Sequence, residues 1–111
     1  MKIPTSFENL VEIVEAPGKT VLLFTADWCG DCRFLEPYLP SLEMENPDFS
    51  FVKVERDEYL ALAKEWDIFG IPSLVVLENG QEIGRLVNKN RKSKEEISAF
   101  LTSLLADEVE N

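Results

Sequence analysis

The stretch Phe24-Thr25-Ala26-Asp27-Trp28-Cys29-Gly30-Asp31-Cys32-Arg33 decides how the chain folds, because a strand ends in it and a helix begins there. Upstream, Thr20 to Thr25 is a largely apolar run of strand length, the pattern of a strand covered on both faces. Downstream, Phe34, Leu35, Tyr38, Leu39 and Leu42 follow helical spacing to about Glu45, with Pro37 placed to kink the helix. Both cysteines of the chain, Cys29 and Cys32, fall at this junction. The first turn of a helix leaves N–H groups unpaired and carries partial positive charge. A thiolate at Cys29 gains those hydrogen bonds, so its pKa is expected below the free value of about 8.5. Cys32 follows at i+3, near enough to close a disulfide and deeper in the protein. So placed, Cys29 can attack a target disulfide and Cys32 can displace the target from the mixed disulfide.

Two blander readings compete. Zinc ordinarily takes four ligands, and the chain has no third cysteine and no histidine, so a zinc site would need cysteines from two subunits. A purely structural disulfide would close so short a loop that it restrains the unfolded chain little. The redox reading outweighs both. No metal site is expected.

On either side of this junction the pattern continues. Thr5-Ser6-Phe7-Glu8 has capping-box spacing and opens a helix to about Glu15, which Pro17-Gly18 stops. Ser50 to Glu55 reads as a second strand and Asp57 to Trp66 as an amphipathic helix. Gly70-Ile71-Pro72 introduces the apolar strand Ser73 to Leu77. Asn79-Gly80 is a strong hairpin signal, with Gln81 to Val87 as the returning strand. Ser93-x-x-Glu96 caps a last helix carrying Ile97, Phe100, Leu101, Leu104 and Leu105. This order describes an α/β domain with a mixed sheet, parallel crossovers first and an antiparallel pair last. The domain is expected over residues 1–106, followed by an acidic, disordered tail over 107–111.

With 111 residues, 45% hydrophobic and 29% charged, the chain suits one globular domain that needs no disulfide for stability. A net charge of -10 repels nucleic acid and anionic membrane, so neither is an expected partner. No apolar run approaches the roughly 20 residues of a membrane helix, and no targeting segment is visible. A cytoplasmic setting is expected, where thiols are kept largely reduced and a cysteine pair is more often catalytic or metal-binding than structural.

The segment from Phe24 to Arg33 with Pro37, the loop Gly70-Ile71-Pro72-Ser73, and Glu78-Asn79-Gly80 together resemble the thioredoxin family, and the distances between them fit nearly the whole chain. That resemblance implies a thioredoxin-like mixed sheet of five strands, or four, flanked by helices on both faces. It implies a thiol–disulfide oxidoreductase that reduces protein disulfides, with Cys29 as nucleophile and Cys32 as resolving thiol. Ile71-Pro72 would be cis and face the pair, where the Ile71 backbone binds an extended substrate peptide beside Trp28 and Gly30. Electrons would come from an external thiol reductant such as a thioredoxin reductase. There is no nucleotide-binding loop, and no cofactor is expected.

Departures from the family are informative. Gly30-Asp31 stands where Gly-Pro is usual, so Asp31 is a candidate tuning residue whose charge disfavours a thiolate nearby. Leu23 occupies the position of the family's buried acid, while the nearby lysine persists as Lys53, a second candidate tuning residue and a substitute for that acid. Asn88 replaces a glycine and is expected to narrow the substrate platform. Trp66 and Phe69 read as core or loop packing, and Arg33, Arg56, Arg85 and Arg91 as solvated charges, with Arg56 a candidate partner for Asp31. Two other functions stay open. One is removal of low-molecular-weight thiols from mixed disulfides, for which no basic cluster is visible. The other is a non-catalytic module whose thiols sense redox state.

Overall fold

The computed structural model describes the backbone over residues 1–109 and side chains to residue 105. The sheet is assembled on β1 (Lys19–Thr25), whose residues from Thr20 to Thr25 are all buried, as expected for a strand covered on both faces. β2 (Phe49–Glu55) runs parallel to it on one side. On the other side β3 (Ser73–Glu78) runs antiparallel, and β4 (Gln81–Leu86) pairs antiparallel with β3 at the edge. The order is β2-β1-β3-β4, so the sheet has four strands. A rudiment of the fifth exists. Lys2 forms one parallel bridge with Val52, donating to Phe51 O at 3.0 Å and accepting from Lys53 N at 2.8 Å. Pro4, which has no N–H to donate, follows two residues on.

Strand alternation divides the core into two layers. Leu22 and Phe24 of β1 pack with Leu10, Val52, Val54, Ala63, Val75 and Leu77, and the two cysteines cap this layer. Val21 and Leu23 point the other way, onto Leu35, Leu39, Leu42, Ile97 and Leu101. Thus α1 (Phe7–Glu15) and α4 (Leu60–Glu65) cover one face, while α3 (Leu39–Glu45) and α5 (Lys94–Val109) cover the other. Each fully buried Leu, Ile or Phe contributes about 1.5–3 kcal/mol of transfer free energy. Among the described residues, no helix is long and apolar enough to cross a membrane. The acidic tail expected over 107–111 lies outside the fully described residues.

Several boundaries differ from expectation. The first cap is Ser6, not Thr5: Ser6 Oγ accepts from Asn9 N at 3.0 Å, and Asn9 Oδ1 reaches back to Thr5 N at 3.0 Å. Asn9 takes the part expected of Glu8, one residue later. The kink at Pro37 is a full 3₁₀ turn (Glu36–Tyr38) that separates α2 (Gly30–Leu35) from α3. The helix expected from Asp57 starts only at Leu60, because Asp57 commits its carboxylate to Arg56 and Trp28 and leaves no side-chain cap. The Asn79-Gly80 turn has both residues at positive φ, 51° and 84°, as a type I′ hairpin requires. Its tip is tied to the start of β1: Gly18 N donates to Asn79 Oδ1 and Asn79 N to Gly18 O, each at 2.9 Å.

Candidate active site

Cys29 is the N-cap of α2, so its sulfur does what a capping serine oxygen would do: it accepts from Cys32 N at 3.2 Å. In the dithiol state seen here Cys29 Sγ also donates to Ile71 O at 3.8 Å. The Ile71-Pro72 bond is cis. Cys32 lies deeper, 4% exposed against 7% for Cys29. Burial pushes the Cys32 thiol up to about 11 and its contact with Cys29 adds to this, while the Thr25 hydroxyl and the Ala26 backbone partly offset both.

Each cysteine lines a different hollow. Cys29 opens onto one of about 430 Å³ together with Trp28, Gly30, Asp31, Phe69 and Ile71. A Cβ on Gly30 would meet nothing within 4 Å, so the protein leaves that space free. Trp28 is 60% exposed and Phe69 63% exposed, flanking the sulfur with two aromatic surfaces. Phe69 was expected as a core or loop-packing residue; the turn at Asp67 (φ 58°) sends Ile68 inward and Phe69 out, to the hollow of Cys29. Trp66 packs as expected, edge-on against Phe24 with ring centroids 6.4 Å apart.

Cys32 lines a second hollow of about 380 Å³ with Thr25, Asp27, Glu36, Lys53 and Glu55. Lys53 is paired with Glu36, one helical turn beyond Cys32. Burial, then the charge of Asp27, raise the Glu55 carboxyl above its ordinary range. Leu23, at the position of the family's acid, packs into the opposite core layer at 3% exposure. The carboxylates lining the hollow of Cys32 therefore come from Asp27, Glu36 and Glu55. The sequence reading missed both glutamates, although Glu36 stands at i+4 from Cys32.

Charge pairing around the site differs from expectation in one respect. Asp31 is paired not with Arg56 but with Arg91, whose Nε donates to Asp31 Oδ1 at 2.9 Å and whose guanidinium stacks on Phe34, 4.2 Å from the ring centroid. Arg56 is held instead by Asp57, at 3.0 and 3.2 Å, and lies over Trp28 at 5.4 Å. Trp28 Nε1 donates to the same carboxylate at 2.7 Å, and this bond, then Arg56, holds the Asp57 carboxyl below its usual range. Arg85 likewise is not simply solvated: it binds Glu82 and Trp66 O. Arg33 lies against Asp27 O at 3.3 Å. Asn88 does not line the hollow. Its side chain is turned into its own loop, accepting from Lys92 Nζ and Asn90 N, each at 2.9 Å.

A capped thiol beside a cis-proline loop, with a second buried thiol one turn behind, on this sheet, defines the class of dithiol–disulfide oxidoreductases. Residues 2–103 match the thioredoxin family, and the chain belongs to it. It is 35% identical over 101 residues to "Thioredoxin-2, mitochondrial" of Schizosaccharomyces pombe, covering 91% of this chain and 71% of that protein. Thioredoxin H1 of Arabidopsis thaliana is 32% identical, with coverage of 94% and 89%. The crystal structure of oxidised mitochondrial thioredoxin 3 from Saccharomyces cerevisiae superposes with a TM-score of 0.78 at 28% identity, over 93% of this chain and 94% of that one. The chain is accordingly a thiol–disulfide oxidoreductase with a thioredoxin fold.

Proposed function

We propose that this protein reduces disulfides in other proteins, with Cys29 attacking and Cys32 resolving. The observation that supports it most is the asymmetry of the pair: Cys29 opens onto a hollow and receives the Cys32 amide, while the Cys32 thiol is held at about 11 away from that hollow. The Cys29 thiolate attacks one sulfur of the target disulfide, that S–S bond breaks, and the first target thiolate leaves and takes a proton. Cys32 then loses its proton and attacks Cys29 Sγ. The mixed disulfide breaks, the second target thiolate leaves and is protonated, and Cys29–Cys32 is oxidised by two electrons. An external dithiol system, such as a thioredoxin reductase, restores the pair. The Cys32 proton leaves toward the hollow lined by Thr25, Glu36 and Glu55.

Trp28, Gly30, Ile71 and Pro72 bind the substrate segment in this reading. The flanking aromatic surfaces of Trp28 and Phe69 suit a peptide segment better than a small thiol. Asp31 and Lys53 tune the pair through their partners Arg91 and Glu36. The reaction belongs in a reducing compartment, and we place it in the cytoplasm. Insulin reduction with NADPH and a thioredoxin reductase tests the reading, run beside a glutathione mixed disulfide. Faster turnover of insulin is expected; turnover of the small mixed disulfide alone would overturn the protein-substrate reading.

A further inference from the structure

Lys92 is the one charged side chain among the described residues that is buried, at 0% exposure. Taking an ammonium out of water costs several kcal/mol unless charge-assisted hydrogen bonds replace the lost hydration. Here the replacements are local. Lys92 Nζ donates to Asn88 Oδ1 at 2.9 Å and to Asn90 O at 2.8 Å, and Asn88 Oδ1 accepts a further bond from Asn90 N at 2.9 Å. The segment between β4 and α5 is thus wound around its own buried cation. Burial lowers the Lys92 pKa, and the charges of Glu96, Cys32, Asp31 and Cys29 oppose that shift. A leucine or methionine would fill the same space without holding Asn88 and Asn90 together.

This segment presses directly on the loop that faces Cys29. A Cβ on Gly70 would sit 2.4 Å from Asn88 O, so only glycine permits the approach. Ser73 Oγ ties the two together, donating to Gly70 O at 2.6 Å and lying 3.4 Å from Asn88 O. Gly70, Ile71 and Lys89 all line the hollow in front of Cys29. Two residues further along, Arg91 reaches Asp31 in the active-site turn. Everything the segment contributes to the site depends on the shape it takes between Asn88 and Lys92.

The geometry points to Lys92 as a positioning residue for protein substrates: its buried ammonium holds segment 88–91 against Gly70-Ile71 and aims Lys89 and Arg91 at the approach to Cys29. This deepens the proposed reductase function and rests on it. A protein disulfide that docks along this wall feels the segment's shape; a small neutral disulfide that needs only the Cys29 sulfur does not.

The experiment measures kcat and KM toward insulin and the second-order rate toward 2-hydroxyethyl disulfide for the unsubstituted protein, Lys92→Met, Asn88→Ala and the double variant. Lys92→Met keeps the apolar stem and removes the ammonium. It is expected to slow insulin reduction by about 5–10-fold, in KM rather than kcat, and to leave the small disulfide within about twofold. Asn88→Ala removes the shared acceptor from outside the buried site and is expected to do the same. The double variant is expected to be no worse than the weaker single one, as residues acting through one bond require. Should Lys92→Met not fold, Asn88→Ala decides by the same two rates. Equal slowing of both disulfides, or of neither, overturns the positioning role. Failure of the unsubstituted protein to reduce either disulfide removes the reductase reading, and this inference with it.

Discussion

In front of Cys29 the protein presents aromatic surface, backbone and the charged ends of Asp31, Arg56 and Lys89 around about 430 Å³; on the side of Cys32 it presents Thr25, Arg33, Lys53 and the carboxylates of Asp27, Glu36 and Glu55 around about 380 Å³. The two sulfurs are three residues apart in sequence, yet they face different chemistries. Cys32 lines the rear hollow, where the carboxylates of Asp27, Glu36 and Glu55 gather, while the one carboxylate of the front hollow, Asp31, is paired with Arg91. In the proposed reaction the pair is split into two roles, in which one sulfur meets the partner and the other keeps its proton until needed. Helix geometry alone makes the division, because Cys29 caps α2 and Cys32 lies inside its first turn.

The largest test of this division is substitution of the sulfurs themselves. Cys29→Ser is expected to abolish turnover, by more than about 10⁴-fold, and to capture no target. Cys32→Ser is expected to accumulate mixed disulfides, read by non-reducing electrophoresis and mass spectrometry. Equal capture through either cysteine would erase the distinction between front and rear.

Next in size is the rear hollow. If the proposed proton route holds, the double variant Glu36→Gln/Glu55→Gln is expected to slow resolution of a preformed mixed disulfide by about 10²-fold, and each single variant by roughly tenfold. The initial attack, followed separately by stopped flow, is expected to change less than about twofold. If attack slows as much as resolution, the two hollows are not functionally separate.

A third test uses pH. The Cys32 thiol titrates near 11 in the fold against an ordinary value of 9.0, so the unfolded chain ionises first. The stability this contributes is complete below pH 9, declines as pH rises, and is gone above about 11. Its size is on the order of 3 kcal/mol, from about 1.4 kcal/mol per pH unit over two units. Urea unfolding of the reduced protein between pH 8 and 11 is expected to show the decline, and Cys32→Ser to flatten it. A slope unchanged in that variant would assign the loss to other groups.

The smallest effect is expected at Asp31. Its pairing with Arg91 is exposed, so Arg91→Met is expected to cost no more than about 0.5 kcal/mol of stability. The informative measurement is the rate of Cys29 alkylation against pH. Freed from its cation, Asp31 is expected to slow the reaction by less than about threefold, and Asp31→Asn in the same background to restore it. No restoration would mean that Arg91 acts by packing on Phe34.

What the sequence made legible was local. The β1-to-α2 junction, the Asn79-Gly80 hairpin and the Ser93 cap each lie within a few residues, where periodicity and turn chemistry act directly. The cysteine pair was readable because cap, spacing and burial all follow from one helix start. The pairing of Asp31 with Arg91 spans 60 positions and depends on how the segment after β4 closes, which no local pattern encodes. Lys92 was invisible for a related reason: a lysine in a run of Lys89, Arg91 and Lys94 looks like solvated surface. The outward turn of Phe69 depended on a positive φ at Asp67, a residue type that tolerates such a conformation without announcing it. The first cap was misplaced by one residue because Thr5 and Ser6 offer equivalent hydroxyls, and only Asn9 chooses between them.

The lone bridge between Lys2 and Val52 also has a bearing on how the molecule behaves at high concentration. β2 is the outermost parallel strand, and Phe51 O and Lys53 N would otherwise be open to the backbone of another molecule. One residue of chain occupies that rim, and Pro4 ends the pairing before a long flat border develops. The protein thus shields itself from lateral strand addition with a single residue in place of a whole fifth strand. Displacing that residue would free Phe51 O and Lys53 N to pair with the backbone of another molecule.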